Sequence, residues 1–222
     1  MRAALIGVCV VCACLVAATP AMAQDEARWF FEVSAIGIIP MDDDGDVLSF
    51  NNGSTTIDAE SAIVPELSLG FSINDRMDLA LAFAMANIDL NAKGPRRGWL
   101  EFGDTDFWML QLIPRFRLAY IGDSALKGGV IIAYSDYDNV DISPAAHRIR
   151  GVTSASFDSD VLAGALLRFD TPIGKDGWYF ASEVRYMMGG PELQVFRNRR
   201  PAAAGTMEFD PLVVGLTLGY QY

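Results

Sequence analysis

Cysteine is scarce in this 222-residue chain, and Cys9, Cys12 and Cys14 all lie close to its N-terminus. Histidine occurs once, as His147. Beyond the N-terminal stretch, no apolar run approaches the ~20 residues that a membrane-spanning helix requires. These shortages argue against a disulfide framework and a cysteine metal site, and a serine–histidine active site has very little material. We therefore predict no enzyme activity, no catalytic residue, no metal site and no cofactor.

The first 23 residues are predicted to be a secretory signal peptide that is removed. Arg2 supplies the positive charge, residues 3–18 form an apolar core, and residues 21–23 give a small-x-small cleavage pattern. The alternative is a retained membrane anchor, for which the apolar stretch is short. Cleavage after Ala23 removes all three cysteines, so the mature domain of residues 24–222 must depend on packing and backbone pairing.

Basic residues are outnumbered, with 17 Lys and Arg against 28 Asp and Glu and a formal net charge of −11. Loss of Arg2 with the signal peptide makes the net charge of the mature domain −12. Nucleic-acid-binding proteins are typically basic, so this acidity argues against a nucleic-acid partner.

What the chain has instead is alternation with a period of two, the pattern of β-strands. In FWMLQLIPRFRLAY, residues 107–120, one face is uninterrupted hydrocarbon and the other holds every charged or amide side chain. Pro114 removes one backbone donor within this segment, so we predict a local bulge there. Similar alternation recurs seven more times, which predicts eight strands, near residues 29–39, 65–73, 77–86, 107–120, 127–134, 160–170, 178–188 and 211–222.

The connections between these strands alternate in length. Three are short, at residues 74–76, 121–126 and 171–177, and four are long and polar, at residues 41–62, 91–105, 135–155 and 189–206. Short periplasmic turns and long outer loops are typical of outer-membrane barrels. A soluble sandwich or lipocalin-type barrel also alternates, but its polar face would be densely charged, whereas here it is mostly Ala, Gly and Ser. We predict an all-β fold, an eight-stranded antiparallel transmembrane up-and-down β-barrel.

Three groups of side chains are candidate functional residues. A narrow lumen favours a paired charge network, or alternatively an ion-conducting constriction, at its periplasmic half: Glu32, Asp78, Arg115, Arg117, Arg168, Asp170, Glu183 and Arg185. Inward apolar residues above it either fill space or line a ligand pocket: Ile36, Ile38, Phe107, Met109, Ile131, Leu162, Met187 and Val213. Aromatic residues at the periplasmic ends predict an interfacial girdle: Trp29, Tyr120, Trp178, Tyr220 and Tyr222.

Five arginines place positive charge on two of the long connections: Arg96, Arg97, Arg197, Arg199 and Arg200. They either contact lipopolysaccharide phosphates or aid solubility. The acidic run that begins at Asp42 lacks the glycine and glutamate that a calcium-binding EF-hand loop needs at its sixth and twelfth positions, which here are Val47 and Gly53.

Several loose motifs together resemble the OmpW family of small outer-membrane barrels. They are Trp29-Phe30-Phe31 leading to Ile39-Pro40, the hairpin at residues 65–83, Gly174 to Trp178, and Asp210-Pro211 leading to the aromatic C-terminus Gly219-Tyr220-Gln221-Tyr222. The resemblance implies an eight-stranded barrel whose hydrophobic pocket opens outward and is closed below, with a role in uptake of small apolar molecules. The C-terminal strand, with alternating apolar residues and a terminal aromatic, also resembles the signal that the outer-membrane assembly machinery reads, although Thr217 stands where that signal often has glycine.

Two other functions are compatible with the sequence. One is a structural or interaction barrel whose long loops bind a partner or lipopolysaccharide, and the other is a small hydrophilic pore. In each case we expect export through the periplasm to the outer membrane of a Gram-negative bacterium, where membrane lipid and lipopolysaccharide are partners and a small hydrophobic molecule is the candidate ligand.

Overall fold

The computed structural model describes residues 28–41, 46–50, 53–93, 99–138, 140–198, 200–207 and 210–222. The predicted signal peptide and Arg96, Arg97 and Arg199 lie outside these residues. No helix in the described part of the chain is long and apolar enough to cross a membrane.

These residues form fourteen strands and one short helix. The elements in chain order are β1 (Arg28–Pro40), β2 (Asp46–Phe50), β3 (Gly53–Ala59), β4 (Ala62–Asn74), β5 (Met77–Lys93), β6 (Trp99–Ile121), β7 (Ser124–Tyr137), β8 (Asp141–Ile142), α1 (Pro144–Arg150), β9 (Ser154–Phe157), β10 (Asp160–Pro172), β11 (Trp178–Met188), β12 (Glu192–Arg197), β13 (Arg200–Thr206) and β14 (Pro211–Gln221).

Eight of the described strands close into an antiparallel barrel in the order β1-β4-β5-β6-β7-β10-β11-β14. Every neighbouring pair is antiparallel, and β14 returns to pair with β1 along eleven residue pairs, from Phe30↔Gln221 to Pro40↔Pro211. Closure pairs the backbone N–H and C=O groups that would be exposed at free strand edges, where lipid offers no hydrogen-bond partner. The predicted eight-stranded up-and-down barrel is therefore confirmed.

The period of two in the sequence reappears as alternating burial along each barrel strand. In β1 the side chains from Phe30 to Ile38 are alternately buried and outward-facing. Outward residues are large and apolar yet strongly exposed, for example Leu67, Leu81 and Leu216 at 50%, 44% and 56%. Such a contiguous apolar surface is the face that a bilayer covers, so the apolar side of each strand faces lipid and the mixed side faces the lumen.

The predicted bulge at Pro114 is wrong. β6 keeps one register with β5 through the pair Pro114↔Leu79, and its ladder to β7 skips the proline without shifting register. Gly129 on β7 explains the accommodation, because a Cβ there would lie 2.8 Å from the Pro114 carbonyl oxygen. The strand thus loses a hydrogen bond rather than gaining a residue. An irregularity with β7 lies lower, between Arg117 and Ala119.

The long connections are more ordered than the predicted loops. With 17 and 23 residues, β5 and β6 exceed the ~11 residues that cross a bilayer and extend the barrel wall outward. The β2–β3 hairpin adds to β5, and β13, β12 and β9 form a separate three-stranded sheet. Helix α1 is capped by the Ser143 side chain and ends at the left-handed Gly151. Strand pairing within these connections gives hydrogen-bond partners to backbone N–H and C=O groups in segments that were predicted to be loops.

Candidate functional site

A chain of ion pairs fills the half of the lumen nearer the short turns, and Glu32 on β1 is its centre. Arg115 on β6 donates two hydrogen bonds to Glu32, at 2.9 and 3.0 Å. Arg168 on β10 donates a third at 2.6 Å, and the Tyr179 hydroxyl on β11 a fourth at 2.7 Å. Both arginines and Glu32 are 1% exposed. Four hydrogen bonds from protein side chains therefore replace the water that would otherwise surround the Glu32 carboxylate.

Arg168 on β10 and Arg185 on β11 extend the network beyond Glu32. Arg168 donates from Nε to Asp170 at 2.6 Å and from Nη1 to Glu183 at 3.0 Å. Glu183 also pairs with Arg185 two residues along β11. Arg185 in turn forms a bidentate pair with Glu66 on β4, at 2.6 and 2.7 Å. Arg168 and Arg185 thus each have at least two acidic partners, which offset the cost of burying their charges.

Four members of the network were not among the predicted residues: Glu66, Gln111, Lys127 and Tyr179. Gln111 bridges Glu66 and Arg185, donating to the first at 2.7 Å and accepting from the second at 3.0 Å. Lys127 joins Asp78 and Asp170, at 2.5 and 2.8 Å. The inward parity of Glu66 and Gln111 was a usable signal. Lys127 and Tyr179 have the same inward parity as Ile131 and Glu183 in their predicted strands, so the same signal could have found them.

We call this connected set the charge floor, and it draws on seven of the eight barrel strands. Its members are Glu32, Glu66, Asp78, Gln111, Arg115, Lys127, Arg168, Asp170, Tyr179, Glu183 and Arg185. On β14, which supplies no ionic member, Thr217 instead shares a hydrogen bond of 2.8 Å with Ser34. At this height paired side chains from seven strands cross the lumen.

Arg117 is the predicted residue that the structure leaves outside the network. Its guanidinium carbon lies 4.6 Å from the centre of the Tyr120 ring, and none of the described residues forms an ion pair with it. It lines a cavity of about 300 Å³ that opens between the short turns, below the charge floor. Arg117 keeps the register of Arg115 with β7 but lies two residues nearer the short turn, so parity alone did not show that it lies below the network.

Two glycines provide room for aromatic rings beside the charge floor. A Cβ at Gly219 would lie 2.2 Å from Cζ of Tyr179, and a Cβ at Gly70 would lie 2.2 Å from Cζ of Phe30. The Phe30 ring lies 5.6 Å beneath the Arg115 guanidinium. The absence of a side chain at Gly219 therefore allows the Tyr179 ring to lie flat and its hydroxyl to reach Glu32.

Gly219→Ala should destabilise the barrel by about 1–3 kcal/mol, because the added methyl forces the Tyr179 ring away from Glu32. Urea unfolding in lipid bilayers, followed by tryptophan fluorescence, measures the effect. Gly37→Ala is the matched control, since a Cβ there has its nearest neighbour, Val214 Cγ2, at an ordinary 3.4 Å. Equal unfolding midpoints for the two variants would show that the close approach has no energetic importance.

The inward apolar residues lie above the charge floor as a packed column. All eight predicted positions are at most 5% exposed: Ile36, Ile38, Phe107, Met109, Ile131, Leu162, Met187 and Val213. None of them lines the cavity below the charge floor. A small apolar cavity of about 20 Å³ lies further out, where the extracellular strands meet the barrel, and its lining is Ala59, Ile88, Leu90, Thr105, Tyr137, Phe157, Pro191 and Met207.

Aromatic side chains mark both edges of the lipid-facing band. At the short-turn end the Trp178 and Tyr220 rings are 5.0 Å apart and Tyr220 and Tyr222 are 6.0 Å apart, with Trp29 and Tyr120 exposed beside them. At the outer edge the Trp108 ring lies between the rings of Phe83 and Tyr134, with centroid distances of 6.4 and 5.5 Å. Arg197 and Arg200 are exposed on β12 and β13, beyond this band.

Solved structures with the same architecture are outer-membrane proteins. The crystal structure of OprG from Pseudomonas aeruginosa matches with a TM-score of 0.75 at 16% identity, over 88% of this chain and 96% of that chain. The solid-state NMR structure of AlkL in DMPC bilayers matches with a TM-score of 0.66 at 12% identity, over 92% and 94%. Both are OmpW-like eight-stranded barrels. This chain has the OmpW-like fold.

The OmpW-like fold is established here by structure rather than by sequence. No protein-family model and no curated protein matches the chain. At identities of 16% and 12%, the likeness concerns the path of the backbone, and the roles of individual residues must be argued from this chain's own contacts.

Proposed function

We propose that this OmpW-like barrel resides in the outer membrane of a Gram-negative bacterium and takes up small hydrophobic molecules from outside. The observation that carries the proposal is the apolar cavity at the outer end, which leads onto the apolar column. Hydrophobic ligands are bound in concave sites of this kind, lined by apolar and aromatic side chains. The fold likeness to outer-membrane proteins supports the location.

The volume of the cavity limits how a ligand enters. About 20 Å³ holds no more than a water-sized group, so a hydrocarbon must displace lining side chains. Met207 is the natural candidate to move, because methionine is unbranched and adapts its shape readily. Below the column, the charge floor presents paired ions to an apolar solute and closes the axis to bulk ions. We infer that uptake and ion conduction are separated in this barrel.

Ala59→Trp tests the proposal, because the indole would fill the cavity from its partly exposed rim. The initial rate of uptake of radiolabelled naphthalene by a Gram-negative host should fall to that of cells without the barrel. Ala203→Trp is the matched control, since Ala203 is also a partly buried alanine of the outer strands but does not line the cavity. Uptake by the Ala59→Trp barrel equal to that of the control, at equal surface abundance, would refute the proposal.

A second function, binding of lipopolysaccharide or another partner by the outer strands, is favoured by one observation. Arg197 and Arg200 lie side by side across the β12–β13 ladder and are exposed. Paired guanidinium groups suit phosphate binding. Such binding would not involve the lumen. The double variant Arg197→Ala, Arg200→Ala should therefore weaken lipopolysaccharide binding without changing naphthalene uptake.

A further inference from the structure

One carboxylate oxygen in the barrel is buried without a hydrogen-bond partner among the described residues. Asp160, the first residue of β10, is on the inward face of its strand, in line with Leu162, Leu166 and Arg168. Its Oδ2 atom is shielded from solvent, and no hydrogen-bond donor among the described residues contacts it. An unpaired carboxylate oxygen is costly to bury. This contrasts with the charge floor, where every carboxylate has a cationic partner.

Asp160 lies at the junction between the apolar column and the outer cavity. It is paired in register with Ser135 on β7, and Tyr137 is the next inward residue of that strand. Tyr137 lines the cavity, and its ring stacks on Phe107 of the column at 5.7 Å and lies 5.3 Å from Phe157 of the cavity wall. Asp160 is therefore one inward position away from the aromatic wall of the cavity.

The backbone of the next segment approaches Asp160 closely. A Cβ at Gly189 would lie 2.9 Å from Asp160 Oδ2 and 2.9 Å from Cγ of Leu162. Two residues further on, Pro191 lines the cavity. Asp160 Oδ2 thus lies against the segment Gly189 to Pro191, which runs from a contact with Leu162 of the apolar column to the lining of the cavity.

We propose that Asp160 is the recognition point for the amine of an amphipathic ligand, whose apolar tail occupies the outer cavity. A protonated primary amine supplies three N–H donors and the opposite charge, and hydrogen bonds between ionised groups are about twice as strong as neutral ones. A hydrocarbon leaves Asp160 Oδ2 unpaired, and an alcohol donates only one neutral hydrogen bond. This inference rests on the proposed function and narrows its ligand class to small alkylamines.

Methyl NMR of the barrel in lipid nanodiscs, with labelled methionines, measures binding directly. Met207 lines the cavity, whereas Met85 and Met188 are lipid-facing and report partitioning into the bilayer. Hexylamine, 1-hexanol and hexane are the probes. The Met207 methyl signal should shift saturably with all three, and hexylamine should bind roughly tenfold or more tightly than 1-hexanol, as expected for a hydrogen bond to a charged group.

Asp160→Asn should abolish the preference for hexylamine and leave hexane binding unchanged, since the side chain keeps its size. Asp158→Asn, at an exposed position two residues earlier, removes the same formal charge and should retain the preference. Equal loss in both variants would attribute the preference to general electrostatics and overturn the inference. Equal affinity of the unmodified barrel for hexylamine and hexanol would also overturn it while leaving the proposed function intact. No saturable Met207 shift with hexane would instead refute the proposed function.

Discussion

Replacing Glu32 with alanine should lower the free energy of unfolding by about 3–5 kcal/mol, the effect expected when one partner of a buried ion pair is removed. Glu32 accepts hydrogen bonds from both Arg115 and Arg168, so its loss leaves two buried guanidinium groups short of a counter-charge. Urea unfolding in bilayers, and the temperature at which the folded band disappears in gel electrophoresis, both measure the loss.

Two further variants make the Glu32 result specific. Glu192→Ala removes an exposed carboxylate from β12 and should change stability by no more than about 0.5 kcal/mol. Glu32→Leu combined with Arg115→Leu removes both partners of one bidentate contact and should recover part of the loss, because an apolar pair replaces a broken ionic one. If Glu32→Ala is no less stable than Glu192→Ala, the charge floor does not stabilise the fold.

Replacing Arg168 with alanine should open the lumen to cations. The guanidinium group is fully buried and contacts Glu32, Asp170 and Glu183, so its removal leaves both space and an excess of negative charge on the barrel axis. Rings of acidic side chains select cations in channels. In planar bilayers we expect no steady conductance from the unmodified barrel and a cation-selective current from the Arg168→Ala variant.

The control for this experiment is Arg200→Ala, which removes an exposed arginine from the outer sheet. It should remain closed. Conductance in the unmodified barrel would show that the floor is an ion pathway, as the pore alternative requires. A closed Arg168→Ala barrel that is folded by circular dichroism would show that the remaining residues refill the lumen.

The barrel itself was predictable because strand periodicity reports directly on which side of a closed sheet faces lipid. Arg115 and Arg168 share a face with Ala and Gly residues while Leu112 and Leu167 occupy the other, and the structure places them accordingly. The height of each residue was harder to predict. Glu66, for example, was not predicted to join the network, yet it pairs with Arg185 across the lumen.

Other errors have local physical causes. A proline was expected to insert a bulge, but Gly129 on the facing strand allows the two backbones to approach instead. The outer strands β9 and β12 are only four and six residues long, and β13 shows little alternation, so their pairing depends on contacts between distant segments rather than on local sequence. Asp160 was predicted only to be part of a strand. A sequence pattern indicates which face of the strand a carboxylate lies on, but not whether it has a hydrogen-bond partner.

The span of the charge floor along the chain constrains how the protein reaches the bilayer. Glu32 pairs with Arg115 and Arg168, which lie 83 and 136 residues later, so neutralisation needs segments that leave the ribosome far apart. Passing these ions singly through hydrocarbon would be expensive. We therefore expect biogenesis to proceed through a hydrated, nearly complete cylinder that enters lipid as one unit, with β14 sealing the seam against β1 last.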